Sequence, residues 1–207
     1  KVRVNKSLQT IDIGEWKSSI EKLSDKASLR EELEIHQDKT ILLGVGGFTY
    51  KKNWIAVFKQ MKFLQDCIFI LIGHGEDKEK YEDYIAEHNL ENIKILSRKD
   101  GLELVKYYKA SDIFIFASLY DQFGYVVPEA LASKLPVICS KSTGASSLIT
   151  NGYNGFVVDP QQEFYKEINK IILNLKTFQN NAYNSIKDIS LESKVKEYIK
   201  ILDLEKI

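Results

Sequence analysis

The 207-residue chain has no excess of charge of either sign and no long apolar segment. Lys and Arg total 29, and Asp and Glu also total 29. A dedicated nucleic-acid-binding domain normally carries a basic excess, so this balance argues against that class and leaves room only for a local cationic pocket. No apolar run reaches the roughly 18 residues of a membrane span, and the N-terminus has neither an apolar core nor a cleavage signal. We therefore expect a cytoplasmic protein without direct membrane insertion.

Cysteine is also scarce, and patterns typical of metal sites are missing. The two cysteines, Cys67 and Cys139, fall in apolar runs that favour strands, and neither has a CxxC partner or a nearby His. Both are expected to be buried, reduced thiols rather than disulfide partners or metal ligands. No Asp-x-Asp pair lies in a plausible metal-binding loop, so we expect no metal and no other cofactor.

Apolar runs bounded by turn residues alternate with helical patterns along most of the chain. This alternation with short loops predicts an α/β fold, a Rossmann-like parallel sheet with helices on both faces. The predicted strands are residues 41–46, 67–73, 93–96, 113–117, 136–140 and 155–158. The predicted helices between and after them are residues 54–63, 77–88, 101–109, 125–133, 145–151 and 161–175.

The two ends of the chain differ from this central region. Residues 1–40 are more polar and are predicted to form an entry segment with one helix near residues 29–33. Residues 41–176 form the predicted Rossmann-like domain. Residues 177–207, with apolar positions such as Tyr198 and Leu202, are predicted to form amphipathic helices that pack on the same domain.

The segment from Asp121 to Glu129 carries the strongest functional signal. It places two carboxylates around a Phe-Gly turn, between a predicted buried strand and a predicted helix that contains Pro128. Ligands of open α/β sheets bind at the carboxyl ends of strands, where free N–H groups at a helix start attract anions. Glu129 would lie in the first helical turn, where a carboxylate can accept two hydrogen bonds from vicinal hydroxyls or interact with the helix dipole.

A second signal follows the first predicted strand. Gly46 and Gly47 would allow a nucleotide diphosphate to approach the backbone closely, and Lys52 would bring a cation. From this pattern alone, a solvated lysine on an ordinary turn is an equally good interpretation. Arg98, after the third strand, could stack on a base or simply be exposed.

Four blocks together resemble the C-terminal, donor-binding domain of retaining GT-B glycosyltransferases of glycosyltransferase family 4. The blocks are residues 45–53, 72–75, 111–132 and 135–155, and their order and spacing match that family. The resemblance implies that Lys52 binds donor phosphates, that Glu129 binds the ribose and that Asp121 contacts the donor sugar near the reacting carbon. Lys52 and Asp121 are then the expected catalytic residues. The full expected donor-binding set is Gly46, Gly47, Lys52, Arg98, Asp121, Phe123, Gly124, Tyr125, Val126 and Glu129, with Phe123 more suited to packing.

Two positions depart from the family pattern. Gly47 stands where the family usually has Arg, and Asp121 stands where it has Glu. Weaker phosphate binding, with or without compensation by Lys51, and an altered sugar preference are the expected consequences.

The resemblance also implies a function for the whole protein. The expected reaction is transfer of a sugar with retention, from a UDP-sugar to a glycan or lipid-linked acceptor, in synthesis of bacterial surface polysaccharide. The acceptor-binding domain would lie N-terminal to this chain and would also provide any peripheral attachment to the inner membrane. A non-catalytic nucleotide-binding or scaffolding module, a GT-B-like sugar-nucleotide epimerase and a phosphorylase-like enzyme are the alternatives, because fold alone does not specify function.

Overall fold

A parallel sheet of six strands lies at the centre of the residues that the computed structural model describes, 13–187 and 199. The spatial order of the strands is β3-β2-β1-β4-β5-β6, and every pairing is parallel. This arrangement confirms the predicted fold class. The strands are β1 (Thr40–Val45), β2 (Cys67–Gly73), β3 (Ile93–Ser97), β4 (Ile113–Phe116), β5 (Val137–Ser140) and β6 (Gly155–Val158).

Helices cover both faces of the sheet, because successive strand residues point to opposite sides. In β1, the fully buried Leu42 and Leu43 belong to different apolar clusters, one on each face. Burial of each such leucine contributes about 1.5–3 kcal/mol. The helices are α1 (Ile13–Glu21), α2 (Lys26–Glu32), α3 (Trp54–Met61), α4 (Lys78–Glu87), α5 (Gly101–Ala110), α6 (Val126–Ala132), α7 (Tyr165–Leu173) and α8 (Leu175–Ile186). None of these helices is long and apolar enough to cross a bilayer.

The cysteine prediction is confirmed, since Cys67 and Cys139 are buried free thiols in β2 and β5. Burial raises the pKa of Cys67 to about 11 and that of Cys139 to about 12, so both stay protonated near neutral pH.

Two helix predictions need correction, and one helix was missed. The predicted helix at 145–151 is a short 3₁₀ helix, Gly144–Leu148, where the Ser146 and Ser147 hydroxyls donate to backbone carbonyls three residues back, each at 2.8 Å. Such local bonds compete with α-helical pairing. The helix predicted at 161–175 begins only at Tyr165, and α8 follows it after Asn174. Helix α1 was not predicted, and the C-terminal helices predicted beyond residue 187 lie outside the described residues, apart from Ile199.

Asp112 joins the entry helices to the sheet at the amino end of β4. Its Oδ2 accepts hydrogen bonds from Arg30 Nη2 and from the backbone N–H of Ile41, both at 2.7 Å. Its Oδ1 accepts from Lys26 Nζ, and the Arg30 guanidinium also donates to the carbonyl of Ala110 at 2.9 Å. The Arg30 and Asp112 side chains are only 7% and 9% exposed, so this is a buried ionic contact that fixes α2 against β1 and β4.

Candidate functional site

The order of the strands places the loops after β1 and β4 side by side. These two strands are neighbours although β2 and β3 lie between them in sequence, so the direction of the chain across the sheet reverses there. Open α/β sheets bind ligands at such a reversal, at the carboxyl ends of the strands. Backbone carbonyls accept hydrogen bonds from one loop to the other: Leu119 N–H donates to the Lys51 carbonyl at 2.8 Å, and Asn53 Nδ2 donates to the Ala117 carbonyl at 3.2 Å.

Lys52 and Asp121 meet at this junction. Lys52 Nζ lies 2.7 Å from Asp121 Oδ2, and the two side chains are 23% and 22% exposed. Asp121 Oδ1 accepts from the backbone N–H of Phe123 at 3.1 Å, which holds the carboxylate in place, and Lys52 Nζ lies 5.1 Å from the centroid of the Phe116 ring. An ammonium group has three N–H donors, so Lys52 can keep its bond to Asp121 and still contact an anion.

Glycines at the carboxyl ends of β1 and β2 let the chain segments there approach each other closely. A Cβ on Gly73 would lie 1.9 Å from the Gly46 carbonyl oxygen, so a side chain there would force the loops apart. Gly47 differs, because a Cβ there would have no neighbour closer than the His74 carbonyl oxygen at 3.8 Å. The backbone therefore leaves space at Gly47 for a side chain that this sequence does not supply.

A tight turn follows Asp121 and leads into α6. Gly124 has φ +83°, and a Cβ on it would lie 2.5 Å from the Phe116 ring, so the turn depends on glycine. Phe123 is buried, and its ring centroid lies 5.1 Å from that of Tyr125, as expected of a packing residue. Tyr125 is half exposed, and α6 begins at Val126.

Glu129 lies in the first turn of α6 and is partly buried. Its Oε2 accepts a hydrogen bond from the Tyr108 hydroxyl at 2.8 Å. Burial raises the pKa of Glu129 to about 7, against a smaller lowering by the bond from Tyr108. Burial and the adjacent Glu129 carboxylate raise the pKa of Tyr108 well above its usual value, so Tyr108 remains a donor.

Arg98 pairs with Asp100 rather than with Asp121. Its Nε lies 3.0 Å from Asp100 Oδ1, and its side chain is 62% exposed. Arg98 follows β3, which is two strands away from β1 in the sheet. An exposed ion pair of this kind leaves its guanidinium accessible to a ligand but does not fix its position.

Comparison with known proteins identifies the family of this chain. The family described as glycosyl transferases group 1 matches residues 25–188, which is most of the chain. The chain belongs to this family. A curated relative, an uncharacterized glycosyltransferase of Methanocaldococcus jannaschii, is 28% identical over 141 residues, covering 66% of this chain and 36% of its own length.

Solved structures share the fold of this chain. HepE from Anabaena, in complex with UDP-glucose, matches with a TM-score of 0.78 at 21% identity, covering 94% of this chain and 56% of that one. The C-terminal domain of the group 1 protein LpcC from Francisella tularensis matches with a TM-score of 0.73 at 22% identity, covering 87% of this chain and 99% of that one. This chain spans less than half the length of the first curated relatives it matches.

Two features of the candidate site were missed by the sequence reasoning. Tyr108 had no local signal, because its partner Glu129 is 21 residues away. Ser118, directly after β4, is fully buried, and its hydroxyl has no hydrogen-bond partner in the part of the chain that the structure describes. No cluster of three or more metal-ligating side chains occurs among residues 13–187.

Proposed function

We propose that this chain is the donor-binding domain of a retaining glycosyltransferase of glycosyltransferase family 4, which uses a UDP-sugar. The observation that carries the proposal is the Lys52–Asp121 pair at the junction of the β1 and β4 loops, 2.7 Å apart. Lys52 supplies a cation, and Asp121 supplies a carboxylate that can accept hydrogen bonds from hydroxyls, at the edge where a parallel sheet binds ligands. Membership of the group 1 family and the likeness to HepE, solved with UDP-glucose, support the choice of donor.

In this proposal each group has a distinct task. Lys52 neutralises the diphosphate, which takes the electron pair when the bond between the anomeric carbon and the phosphate oxygen breaks. Asp121 accepts hydrogen bonds from hydroxyls of the donor sugar, and Glu129 accepts them from the ribose. The leaving diphosphate takes the proton of the acceptor hydroxyl as the new glycosidic bond forms on the same face. Fixed charge of this kind typically contributes about 10²–10³ in rate for each donor group.

The acceptor and the setting of the reaction are also proposals. We place the acceptor-binding residues in a further part of a longer protein, since the curated relatives are more than twice as long as the matched region. A glycan or lipid-linked acceptor in bacterial surface polysaccharide synthesis fits the family. Peripheral attachment to the inner membrane would then come through that other part.

Calorimetric titration of the chain with UDP, GDP and ADP, in magnesium and in EDTA, tests the proposal. We expect UDP to bind equally well in both buffers, because Lys52 and backbone donors take the place of a metal. Glu129→Ala should weaken UDP binding, since the ribose hydroxyls lose their acceptor. If no nucleotide binds the wild-type chain, the donor-domain proposal is wrong.

A second prediction concerns the pH dependence of donor binding. The pKa of Glu129 is raised to about 7, so the carboxylate that accepts ribose hydroxyls is lost as pH falls below 7. We expect UDP-glucose to bind about tenfold more weakly at pH 6 than at pH 8, because only about a tenth of Glu129 is ionised one unit below its pKa. UDP-glucose is the right probe, since its doubly esterified diphosphate does not titrate in this range.

The matched variant for this measurement is Glu129→Gln, which keeps the shape but cannot titrate. Its affinity for UDP-glucose should not vary between pH 6 and pH 8. The raised pKa also means that the folded state binds more protons than the unfolded state, so the contribution of Glu129 to stability falls as pH rises from about 4.5 to about 7. An identical pH profile for wild type and Glu129→Gln would contradict this role.

Two observations favour a non-catalytic nucleotide-binding module as the alternative. Gly47 supplies no side chain where the structure has space for one, and Asp121 already neutralises Lys52. Such a site would bind a nucleotide with reduced charge complementarity. UDP-glucose that binds but is neither hydrolysed nor transferred by the full-length protein would favour the module.

A further inference from the structure

Exposed aromatic side chains are concentrated around the Lys52–Asp121 pair. Among the described residues, the aromatic side chains that are exposed are Tyr50, Phe63, Tyr120, Tyr125 and Tyr153. Three of these five lie on the two loops that meet at the pair, and Tyr50 and Tyr120 are the most exposed, at 64% and 62%. Scattered exposed aromatic residues are ordinary, but a group of them beside a candidate site indicates a binding surface.

The backbone holds Tyr50 and Tyr120 on the same junction. Each tyrosine lies just before one member of the pair in the sequence. Tyr50 begins the 3₁₀ helix Tyr50–Lys52, and Tyr120 directly precedes Asp121. The bond from Leu119 N–H to the Lys51 carbonyl, 2.8 Å, joins the two segments at the residues next to the two tyrosines. Both tyrosines therefore start from a fixed backbone, and an aromatic side chain with two rotatable bonds loses little entropy on binding.

The chemistry beside the tyrosines selects what they bind. A pyranose ring has a face of C–H groups, which packs on an aromatic ring, and an edge of hydroxyls, which donate to acceptors. Asp121 provides a carboxylate with room for further hydrogen bonds, since ionised carboxylates accept about four. A uracil base offers one N3–H donor between two carbonyl oxygens, which a carboxylate repels, so a ring with several hydroxyl donors suits this position better.

We propose that Tyr50 and Tyr120 form the wall of a subsite for the sugar ring of the nucleotide-sugar, with Asp121 at its hydroxyl edge. This inference rests on the proposed function, because it assumes that the diphosphate lies at Lys52. The tyrosine rings then contribute affinity for the sugar and none for the nucleotide. They also determine which sugars fit, since an axial hydroxyl on the packed face would separate the ring from the tyrosines.

The test compares UDP-glucose with UDP by calorimetry on the wild-type chain and on Tyr50→Ala and Tyr120→Ala. Each substitution should weaken UDP-glucose binding by about three- to tenfold and leave UDP binding unchanged, because only the sugar loses its packing. Tyr120→Phe should keep most of the affinity for UDP-glucose. The matched control is Tyr153→Ala, an exposed tyrosine just before the amino end of the edge strand β6, whereas the pair lies beyond the carboxyl ends of the central strands; it should change neither affinity.

Other outcomes are equally informative. Equal weakening of UDP and UDP-glucose would mean that the tyrosines stack on the base, and it would overturn the proposal. No change in the affinity for either ligand would overturn it too. Failure of the wild-type chain to bind UDP would instead refute the proposed function itself, which keeps the two failures distinct. Equal melting temperatures for all variants would show that folding is not the cause.

Discussion

Replacement of Lys52 with methionine should weaken UDP binding by about 10- to 100-fold. A hydrogen bond to a charged group contributes roughly 1.5–3 kcal/mol, and Lys52 is the cation that the fold places at the β1–β4 junction. The loss has a second component, because Asp121 becomes an uncompensated, partly buried negative charge beside the diphosphate. Calorimetric titration with UDP at fixed ionic strength measures the effect, and methionine preserves most of the apolar length that lies near the Phe116 ring.

The neighbouring Lys51 provides the matched control. It lies in the same 3₁₀ helix but is exposed, so Lys51→Met should reduce UDP affinity much less, and mainly at low salt. Asp121→Asn should have the opposite effect, since it removes the negative charge but keeps an oxygen for the Phe123 N–H. In the double variant Lys52→Met/Asp121→Asn, part of the lost affinity should return, because the two groups are in direct contact. Equal losses for Lys51→Met and Lys52→Met would show that only net charge matters.

The fold was predictable because its signals are local. Strands that are buried on both faces appear as continuous apolar runs, and all six predicted runs coincide with strands to within one or two residues. The errors lie where side-chain hydrogen bonds to the backbone decide the structure. The serines at 146 and 147 convert a predicted helix into a 3₁₀ helix, and the Gln60 side chain accepts from the Phe164 and Tyr165 N–H groups at 2.9 and 3.1 Å where α7 begins.

The geometry of the site was predictable only in part. Strand patterns place Lys52 and Asp121 after strands, but a contact between them requires β1 and β4 to be neighbours, and no local pattern encodes that order. The two residues are 69 positions apart, and their ion pair emerges only with the topology. The same limit explains why the hydrogen bond from Tyr108 to Glu129 was not predicted. The raised pKa of Glu129 depends on burial, which the helical pattern does not show either.

Replacement of Asp112 with alanine should lower the free energy of unfolding by about 3–5 kcal/mol. Removing one partner of a buried ion pair leaves the other charge without compensation, and here the Arg30 side chain is only 7% exposed. The backbone N–H of Ile41, fully buried in β1, also loses its acceptor at 2.7 Å. A domain of this kind has a total stability of roughly 5–15 kcal/mol, so the variant should unfold at a much lower urea concentration.

Asp66 offers the contrasting ion pair for this experiment. It contacts Lys39 at 2.9 Å, but its side chain is fully exposed, so Asp66→Ala should leave the urea midpoint unchanged. Adding Arg30→Met to Asp112→Ala should recover part of the lost stability, because the buried cation is then gone, although the Ile41 N–H and Lys26 still lack their acceptor and the Ala110 carbonyl loses its donor. If the double variant is no more stable than Asp112→Ala, the unpaired guanidinium is not the source of the loss. The bonds that Asp112 accepts from the Ile41 N–H and from Lys26 would then be its main contribution to stability.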